Sequence, residues 1–262
     1  MFSVLDMFTI GVGPSSSHTV GPMCAAQAFA SSLEESGDVS RVGRIRVILY
    51  GSLSLTGLGH GTDRAILAGL EGNVPATVDT DYLLSVRERC AHDGTIHVNG
   101  TNAIAYDDDG DMVFDRWKRL APHPNGMRFQ AFDAQGNIID EQVWYSIGGG
   151  FIRRGRIDDA LISNHEQTPA SSQSPEDSGN DETAEYGDGV PYPFVSCDGL
   201  IDLCRKHHLS IADIVWANET ARRSPQEVRD RLTRIWNVMS HCIDAGCASA
   251  TPTLPGGLDV PR

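Results

Sequence analysis

The chain has 262 residues, 40% of them hydrophobic, which is enough for a packed core in one or two domains at roughly 100–200 residues each. Its 35 acidic and 21 basic side chains give a formal net charge of −14, which argues against nucleic-acid or anionic-membrane partners. No apolar run approaches the ~20 residues of a membrane helix, and an N-terminus with Asp6 and no basic region is not a signal peptide. Six cysteines do not make a disulfide scaffold, so we expect a cytoplasmic protein with reduced thiols.

The first 163 residues alternate between helix and strand patterns. Amphipathic or Ala-rich periodicity predicts helices over 22–33, 62–70 and 79–91, with Thr62 as the N-cap of the second. Alternating or short apolar runs predict strands over 44–50, 96–98, 103–106, 127–133 and 138–146. The last two flank AQGN, a hairpin turn, and are therefore antiparallel. We predict an α+β fold with a mixed sheet and helices.

Residues 164–191 differ in composition from the rest of the chain. They contain seven acidic residues, no Lys or Arg and almost nothing apolar, so they predict a mobile linker. Beyond them, the pattern predicts only helices, over 197–208, 210–223 and 225–245, with Ser210 and Ser224 as N-caps and Gly246 as a stop. The predicted domains are therefore 1–163 and an all-α segment, 192–262, joined by an acidic flexible linker.

The segment GVGPSSSHTVGP, residues 11–22, places three serines, a histidine and a threonine just before a helix. Backbone N–H groups at a helix start attract anions, and short polar side chains add donors, so the segment suits a carboxylate or a phosphate. A polar turn that caps the helix fits the same residues. A dinucleotide fingerprint is excluded because it requires glycine where Ser16 stands, and the G-x-S-x-G hydrolase elbow is absent.

The segment YGSLSLTGLGHGTD, residues 50–63, leaves a predicted strand and enters a predicted helix. His60 lies between Gly59 and Gly61, which leave room for a ligand beside an imidazole whose pKa suits a general base. A structural or solvent-facing histidine is the alternative.

Three further features carry less information. SIGGGF, residues 146–151, permits either a close backbone approach or a flexible exit from the sheet. The acidic run 107–111 has neither the glycine at the sixth position nor the glutamate at the twelfth that a calcium loop requires, so we expect a β-turn with a solvated acidic tip. The cysteines form no C-x-x-C pair and are expected to be buried structural thiols: Cys24, Cys90, Cys197, Cys204, Cys242 and Cys247.

GPSSSHTVGPM, YGSLSLTGLGHGTD, PATVD, NGM and YSIGGGF, in this order, resemble the iron–sulfur-dependent bacterial L-serine dehydratases (L-serine ammonia-lyases). The resemblance is dense over 1–163, as in the family's β domain, and looser through Asn218-Glu219 and LPGGLDVPR. A wider resemblance is to the allosteric substrate-binding domain of some phosphoglycerate dehydrogenases, which implies the same α+β fold.

The resemblance implies conversion of L-serine to pyruvate and ammonia, assisted by a [4Fe–4S] cluster whose open iron polarises the leaving hydroxyl. It makes His60 the candidate general base, although His18 remains open for that role. The candidate substrate-binding residues are Ser15, Ser16, Ser17, His18, Thr19, Ser52, Ser54, Thr56, Thr62 and Asn218. L-serine and a second copy of the chain, in a homodimer, are the implied partners.

None of the six cysteines matches the family's cluster ligands, which lie downstream in its helical catalytic domain. We therefore expect 192–262 to be the start of an incomplete catalytic α domain, with the ligands outside this chain. The chain alone should bind no cluster and have no dehydratase activity, and stoichiometric iron and sulfide in the purified protein would refute this.

Two other functions compete with this one. A non-catalytic serine-binding module for regulation or dimerisation would retain serine binding without cluster ligands. A hydrolase that uses Ser16 and His18 is disfavoured, because residues this close in sequence rarely form a nucleophile–base pair.

Overall fold

The computed structural model describes residues 3–164, 189–253 and 260–261. Most of the predicted acidic linker, 165–188, lies outside the described residues. The chain divides into two compact units, each described by itself below. Within the described ranges, no helix combines the length and the apolar character needed to span a membrane.

The larger unit, here called the α/β unit, comprises Gly11–Gln167 and Thr251–Arg262. Its helices are α1 (Gly21–Glu35), α2 (Gly51–Thr56), α3 (Thr62–Leu70), α4 (Thr80–Asp93) and α5 (Asp108–Asp111). Its strands are β1 (Arg44–Tyr50), β2 (Thr95–Val98), β3 (Asn102–Ala105), β4 (Met112–Asp115), β5 (Lys118–Leu120), β6 (Gly126–Phe132), β7 (Ile138–Gly148), β8 (Phe151–Arg154) and β9 (Leu161–Ser163).

The main sheet has the strand order β2-β3-β1-β6-β7-β8, with β4 also paired to β1. Strand β1 lies parallel to β3 and β4 and antiparallel to β6, in a register that places Val47 opposite Phe129. Strands β5 and β9 form a separate antiparallel pair. The predicted α+β fold with a mixed sheet is thereby confirmed.

The core lies between the sheet and the helices α1, α3 and α4. Strand β1 alternates as its sequence predicts, with Ile45, Val47 and Leu49 buried against the helices. The rings of Phe29 in α1 and Phe129 in β6 stack with centroids 5.2 Å apart. Burial of this many apolar side chains, each contributing about 1.5–3 kcal/mol, fixes the helices on one face of the sheet.

Two turns of the sheet follow from their residues. The predicted hairpin is β6–β7, and the carboxylate of Asp133 accepts N–H bonds from Gln135 and Asn137 within its turn. Gly148, Gly149 and Gly150 all have positive φ and form the tight connection between β7 and β8. Three consecutive glycines therefore suit this turn, because other residues rarely adopt positive φ.

Two local predictions in this unit are wrong. The N-cap of α3 is Gly61, in a left-handed conformation with φ +67°. Thr62 is instead the first helical residue, and its hydroxyl donates to the carbonyl of His18 and does not cap the helix. The acidic run is a short helix, not a solvated turn, because Asp111 is buried against the guanidinium of Arg44.

The smaller unit, here called the helical unit, comprises Met1–Ile10 and Thr168–Ala250. Its helices are α6 (Cys197–His207), α7 (Ile211–Thr220) and α8 (Pro225–Ala248). Ser210 and Ser224 cap α7 and α8 as predicted, whereas α8 continues through Gly246, which does not adopt a left-handed conformation. Residues 3–10 group here because Glu219 accepts hydrogen bonds from Ser3 Oγ and Val4 N. The predicted domain boundaries stay a prediction.

Helix α8 has little packing of its own within the helical unit. Of its described side chains, only Val228 is buried. Four large apolar side chains spaced four, three and four residues apart are exposed along it: Leu232, Trp236, Met239 and Ile243. This spacing places them on one face of the helix.

Candidate active site

The two glycine-rich motifs of the sequence meet in the α/β unit. Residues 16–20 form one π-helical turn that runs into α1, and here residues 15–20 are called the serine loop. After β1, helix α2 and a short 3₁₀ turn lead to Gly61, and residues 57–61 are called the glycine loop. The imidazole rings of His18 and His60 lie 4.9 Å apart between centroids, at an interplanar angle of 42°. These two side chains are the histidine pair.

Two threonines connect the loops by crossed hydrogen bonds. Thr19 Oγ1 in the serine loop donates to the carbonyl of His60 at 2.9 Å. Thr62 Oγ1, at the start of α3, donates to the carbonyl of His18. Both threonines are buried. Each histidine backbone is therefore fixed by the opposite segment, and Thr19 and Thr62 are here called the crossed threonines.

His18 has hydrogen-bond partners at both ring nitrogens. Its Nδ1 lies 2.9 Å from Ser17 Oγ, and its Nε2 lies 3.0 Å from Ser52 Oγ. Burial lowers the pKa of His18, the neighbouring imidazole of His60 lowers it further, and a hydrogen bond with Ser52 acts in the opposite direction. The net effect favours a neutral His18, because an imidazolium at this place is less hydrated and lies beside a second imidazole.

His60 presents one free ring nitrogen. Its Nδ1 lies 2.9 Å from the carbonyl oxygen of Thr56. A carbonyl only accepts hydrogen bonds, so Nδ1 carries the proton and Nε2 carries the lone pair. Among the described residues, Nε2 has no hydrogen-bond partner. A half-buried imidazole in this tautomer is ready to accept a proton from a bound molecule.

The serine loop adds hydrogen-bond donors beside the histidine pair. Ser15 Oγ caps the turn by accepting the His18 N–H and lies 3.3 Å from Ser17 Oγ. Ser16 is exposed at the first position of the turn. The N–H groups of a first helical turn lack partners within the helix and favour a carboxylate. The predicted residues of this loop therefore lie together, with the donors that an anion requires.

The structure brings together only part of the remaining predicted set. Ser52 contacts the histidine pair, while Thr56 is exposed and donates to the carbonyl of Ser52 inside α2. Ser54 is buried, and its hydroxyl has no partner among the described residues. Asn218 lies in the helical unit, where its side chain bonds the backbone N–H and carbonyl of Tyr192. These bonds give Asn218 a role in holding the chain before α6.

Ser146 begins the SIGGGF motif but was not among the predicted site residues. It is fully buried in β7, its hydroxyl has no partner among the described residues, and a Cβ at Gly21 would lie 2.0 Å from its Oγ. Gly21 begins α1 directly after the serine loop. The glycine is therefore required for close approach of β7 to this helix start.

The cysteines do not fit the iron–sulfur cluster that the resemblance implies. Within the part of the chain that the structure describes, no group of three or more His, Cys, Asp or Glu side chains could hold a metal. Cys90 lies in the core, where burial raises its pKa to about 11. Cys197, Cys242 and Cys247 are exposed, so the prediction that the cysteines are buried is wrong for these three.

The α/β unit is a mixed α+β fold in which two loops bring imidazoles, hydroxyls and helix-start N–H groups together. Comparison with known proteins specifies the family: the chain belongs to the serine dehydratase beta chain family, whose sequence profile matches residues 3–156.

Several relatives carry the name L-serine dehydratase. The chain is 41% identical to that of Streptomyces coelicolor over 99% of this chain and 52% of the relative. It is 38% identical to L-serine dehydratase 1 of Escherichia coli over 100% of this chain and 52% of the relative. It is also 38% identical to the L-serine dehydratase of Mycobacterium tuberculosis, over 99% of this chain and 51% of the relative. The chain spans about half the length of the curated relatives it matches.

Proposed function

We propose that this chain carries the serine-recognition part of an L-serine ammonia-lyase, with the histidine pair at its centre. The observation that supports this most directly is His60 Nε2, which has no hydrogen-bond partner among the described residues and lies beside the donor-rich serine loop. The names of the relatives, L-serine dehydratase, support L-serine as the substrate and dehydration as the reaction. The reaction in this proposal is the conversion of L-serine to pyruvate and ammonia.

The site's chemistry suits a zwitterionic amino acid. The serine-loop hydroxyls and first-turn N–H groups bind the carboxylate of L-serine. His60 Nε2 faces the bound molecule as the base for the α-proton, and its Nδ1–H bond to the Thr56 carbonyl stabilises the imidazolium that forms. His18, held by Ser17 and Ser52, keeps the loop in place and remains neutral beside that charge.

The remainder of the enzyme is part of the proposal. A [4Fe–4S] cluster would supply Lewis-acid assistance to the departing hydroxyl, with ligands outside these 262 residues. The chain alone would bind serine without dehydrating it. The helical unit would be the beginning of the domain that holds the cluster. The α/β unit would share the fold of the allosteric substrate-binding domain of phosphoglycerate dehydrogenases.

Calorimetric titration with L-serine tests the proposal, with D-serine and inorganic phosphate as controls. We expect L-serine to bind and D-serine to bind more weakly, because a base aligned with one α-proton fits one enantiomer. His60→Gln should weaken binding about tenfold, the equivalent of one lost hydrogen bond to a polar ligand. His92→Gln is the matched control, since His92 is an exposed histidine on α4.

The outcomes separate the alternatives. Failure of the wild-type chain to bind L-serine would overturn the assignment of recognition to this chain. Binding that is unaffected by His60→Gln would place the serine elsewhere and favour a non-catalytic regulatory or dimerisation module.

A further inference from the structure

A partly buried ion-pair network joins α4 to the start of α3, which follows the glycine loop in the chain. Arg87 in α4 donates from Nη1 to Asp63, in the first turn of α3. The same guanidinium also binds both carboxylate oxygens of Asp108: Nε donates to Oδ1 at 3.0 Å, and Nη2 donates to Oδ2 at 2.7 Å. Tyr106 completes the network by donating its hydroxyl to Asp108 at 2.7 Å. Planar arginine suits this arrangement because it can serve two carboxylates at once.

The Arg87–Asp63 ion pair is connected to the histidine pair through Thr62, the neighbour of Asp63 in the chain. Asp63 follows Thr62, whose hydroxyl fixes the His18 carbonyl, and Gly61, whose carbonyl accepts the Ala65 N–H as α3 begins. The Asp63 side chain is 5% exposed, and its Oδ1 has no hydrogen-bond partner among the described residues. Without Arg87, a buried carboxylate would lack its ion-pair partner, and the first turn of α3 would have to open to hydrate it.

We propose that Arg87 is a positioning residue for the histidine pair, acting through Asp63 on the start of α3. Its role is to keep Thr62 at the carbonyl of His18 and the glycine loop at the serine loop. The inference rests on the proposed function only where serine binding is the readout. The geometry of the histidines is a separate readout that requires no ligand.

The same helix provides a matched control. Arg89, two residues after Arg87 on α4, pairs with Glu71, whose side chain is 6% exposed. Glu71 also accepts hydrogen bonds from Tyr82 Oη and the His97 N–H. It follows the last residue of α3, at the end opposite to Thr62. Arg89→Ala therefore breaks a comparably buried ion pair in the same helix without releasing the start of α3.

The experiment compares the full 262-residue chain with Arg87→Ala, Arg87→Lys, Asp63→Asn and Arg89→Ala. The imidazole Cε1–H resonances of His18 and His60 are followed by NMR across the pH range, and L-serine affinity is measured by titration. We expect Arg87→Ala to move both resonances, to raise the pKa of His18 toward its ordinary value as the loops open to water, and to weaken L-serine binding about tenfold. Arg87→Lys should restore part of each effect, since its ammonium keeps the charge but cannot fork.

Arg89→Ala should destabilise the fold to a similar degree while leaving both resonances in place. The inference would be overturned if the His18 and His60 resonances moved equally in Arg87→Ala and Arg89→Ala, or if they did not move in Arg87→Ala. If Arg87→Ala does not fold, Asp63→Asn decides instead. It removes the charge that holds Arg87 at the start of α3, so it should move both resonances by part of the amount, and unmoved resonances would overturn the inference. If the wild-type chain binds no L-serine, the proposed function fails, and the resonance comparison still decides the role of Arg87.

Discussion

Thr62→Val removes one of the crossed threonine hydrogen bonds and little else. Thr62 is 0% exposed, and valine retains nearly the same shape, so the main loss is the donor to the His18 carbonyl. A buried acceptor without its donor costs about 1–3 kcal/mol. For a chain of this size, each kcal/mol corresponds to about 2–4 °C in melting temperature. We therefore expect a loss of this size in the free energy of unfolding, together with a displaced His18 resonance.

Thr56→Val is the control for this change. Thr56 is exposed and donates to a carbonyl within its own helix, so water can replace its bond and we expect a cost within about 0.5 kcal/mol. Urea unfolding followed by circular dichroism gives both free energies, and imidazole NMR gives the geometry of the site. If Thr62→Val costs no more than Thr56→Val and leaves His18 unmoved, then the crossed threonines do not fix the loops.

Three further predictions concern charge and packing. Burial alone would raise the pKa of Glu71, but its hydrogen bonds lower it below its ordinary value. Its contribution to stability is therefore present above pH about 4.3 and lost as pH falls through the folded pKa; Glu71→Gln should flatten the acid limb of a stability–pH curve. His60→Gln should raise the pKa of His18 in an NMR titration, because the electrostatic effect of the neighbouring imidazole is removed, and an unchanged value would contradict the coupling. Gly21→Ala should cost about 1–3 kcal/mol in urea unfolding, since its Cβ would overlap Ser146, and Ser146→Gly in the same chain should recover part of that loss.

The sequence predicted those elements whose signals are local. Strand β1 follows from the polar–apolar alternation at the start of RIRVILY, and the β6–β7 hairpin follows from the AQGN turn. Helix α2 was missed because Gly, Ser and Thr have low helix propensity, and burial of Leu53 in the core stabilises this short helix instead. The burial of Asp111 depends on Arg44, 67 residues away in the chain, which no local pattern reveals.

In the candidate site, too, local signals were predictable from the sequence and contacts between distant segments were not. Both motifs were identified from their residue types, and the structure places His18 and His60 side by side. Their pairing, the tautomer of His60 and the role of Arg87 depend on contacts between segments that are distant in sequence. Asn218 was included on resemblance alone, and the structure gives its amide a backbone partner, Tyr192, in the helical unit.

The crossed threonines have a consequence for protein engineering. Thr19 of the serine loop supplies the donor for the His60 carbonyl, and Thr62, directly after the glycine loop, supplies the donor for the His18 carbonyl. Neither motif can therefore hold its histidine without the other. Grafting the serine loop alone onto another scaffold would transfer Thr19 without its acceptor and His18 without its donor. A transplant should therefore carry both motifs, together with the strand β1 and the helix starts that set their spacing.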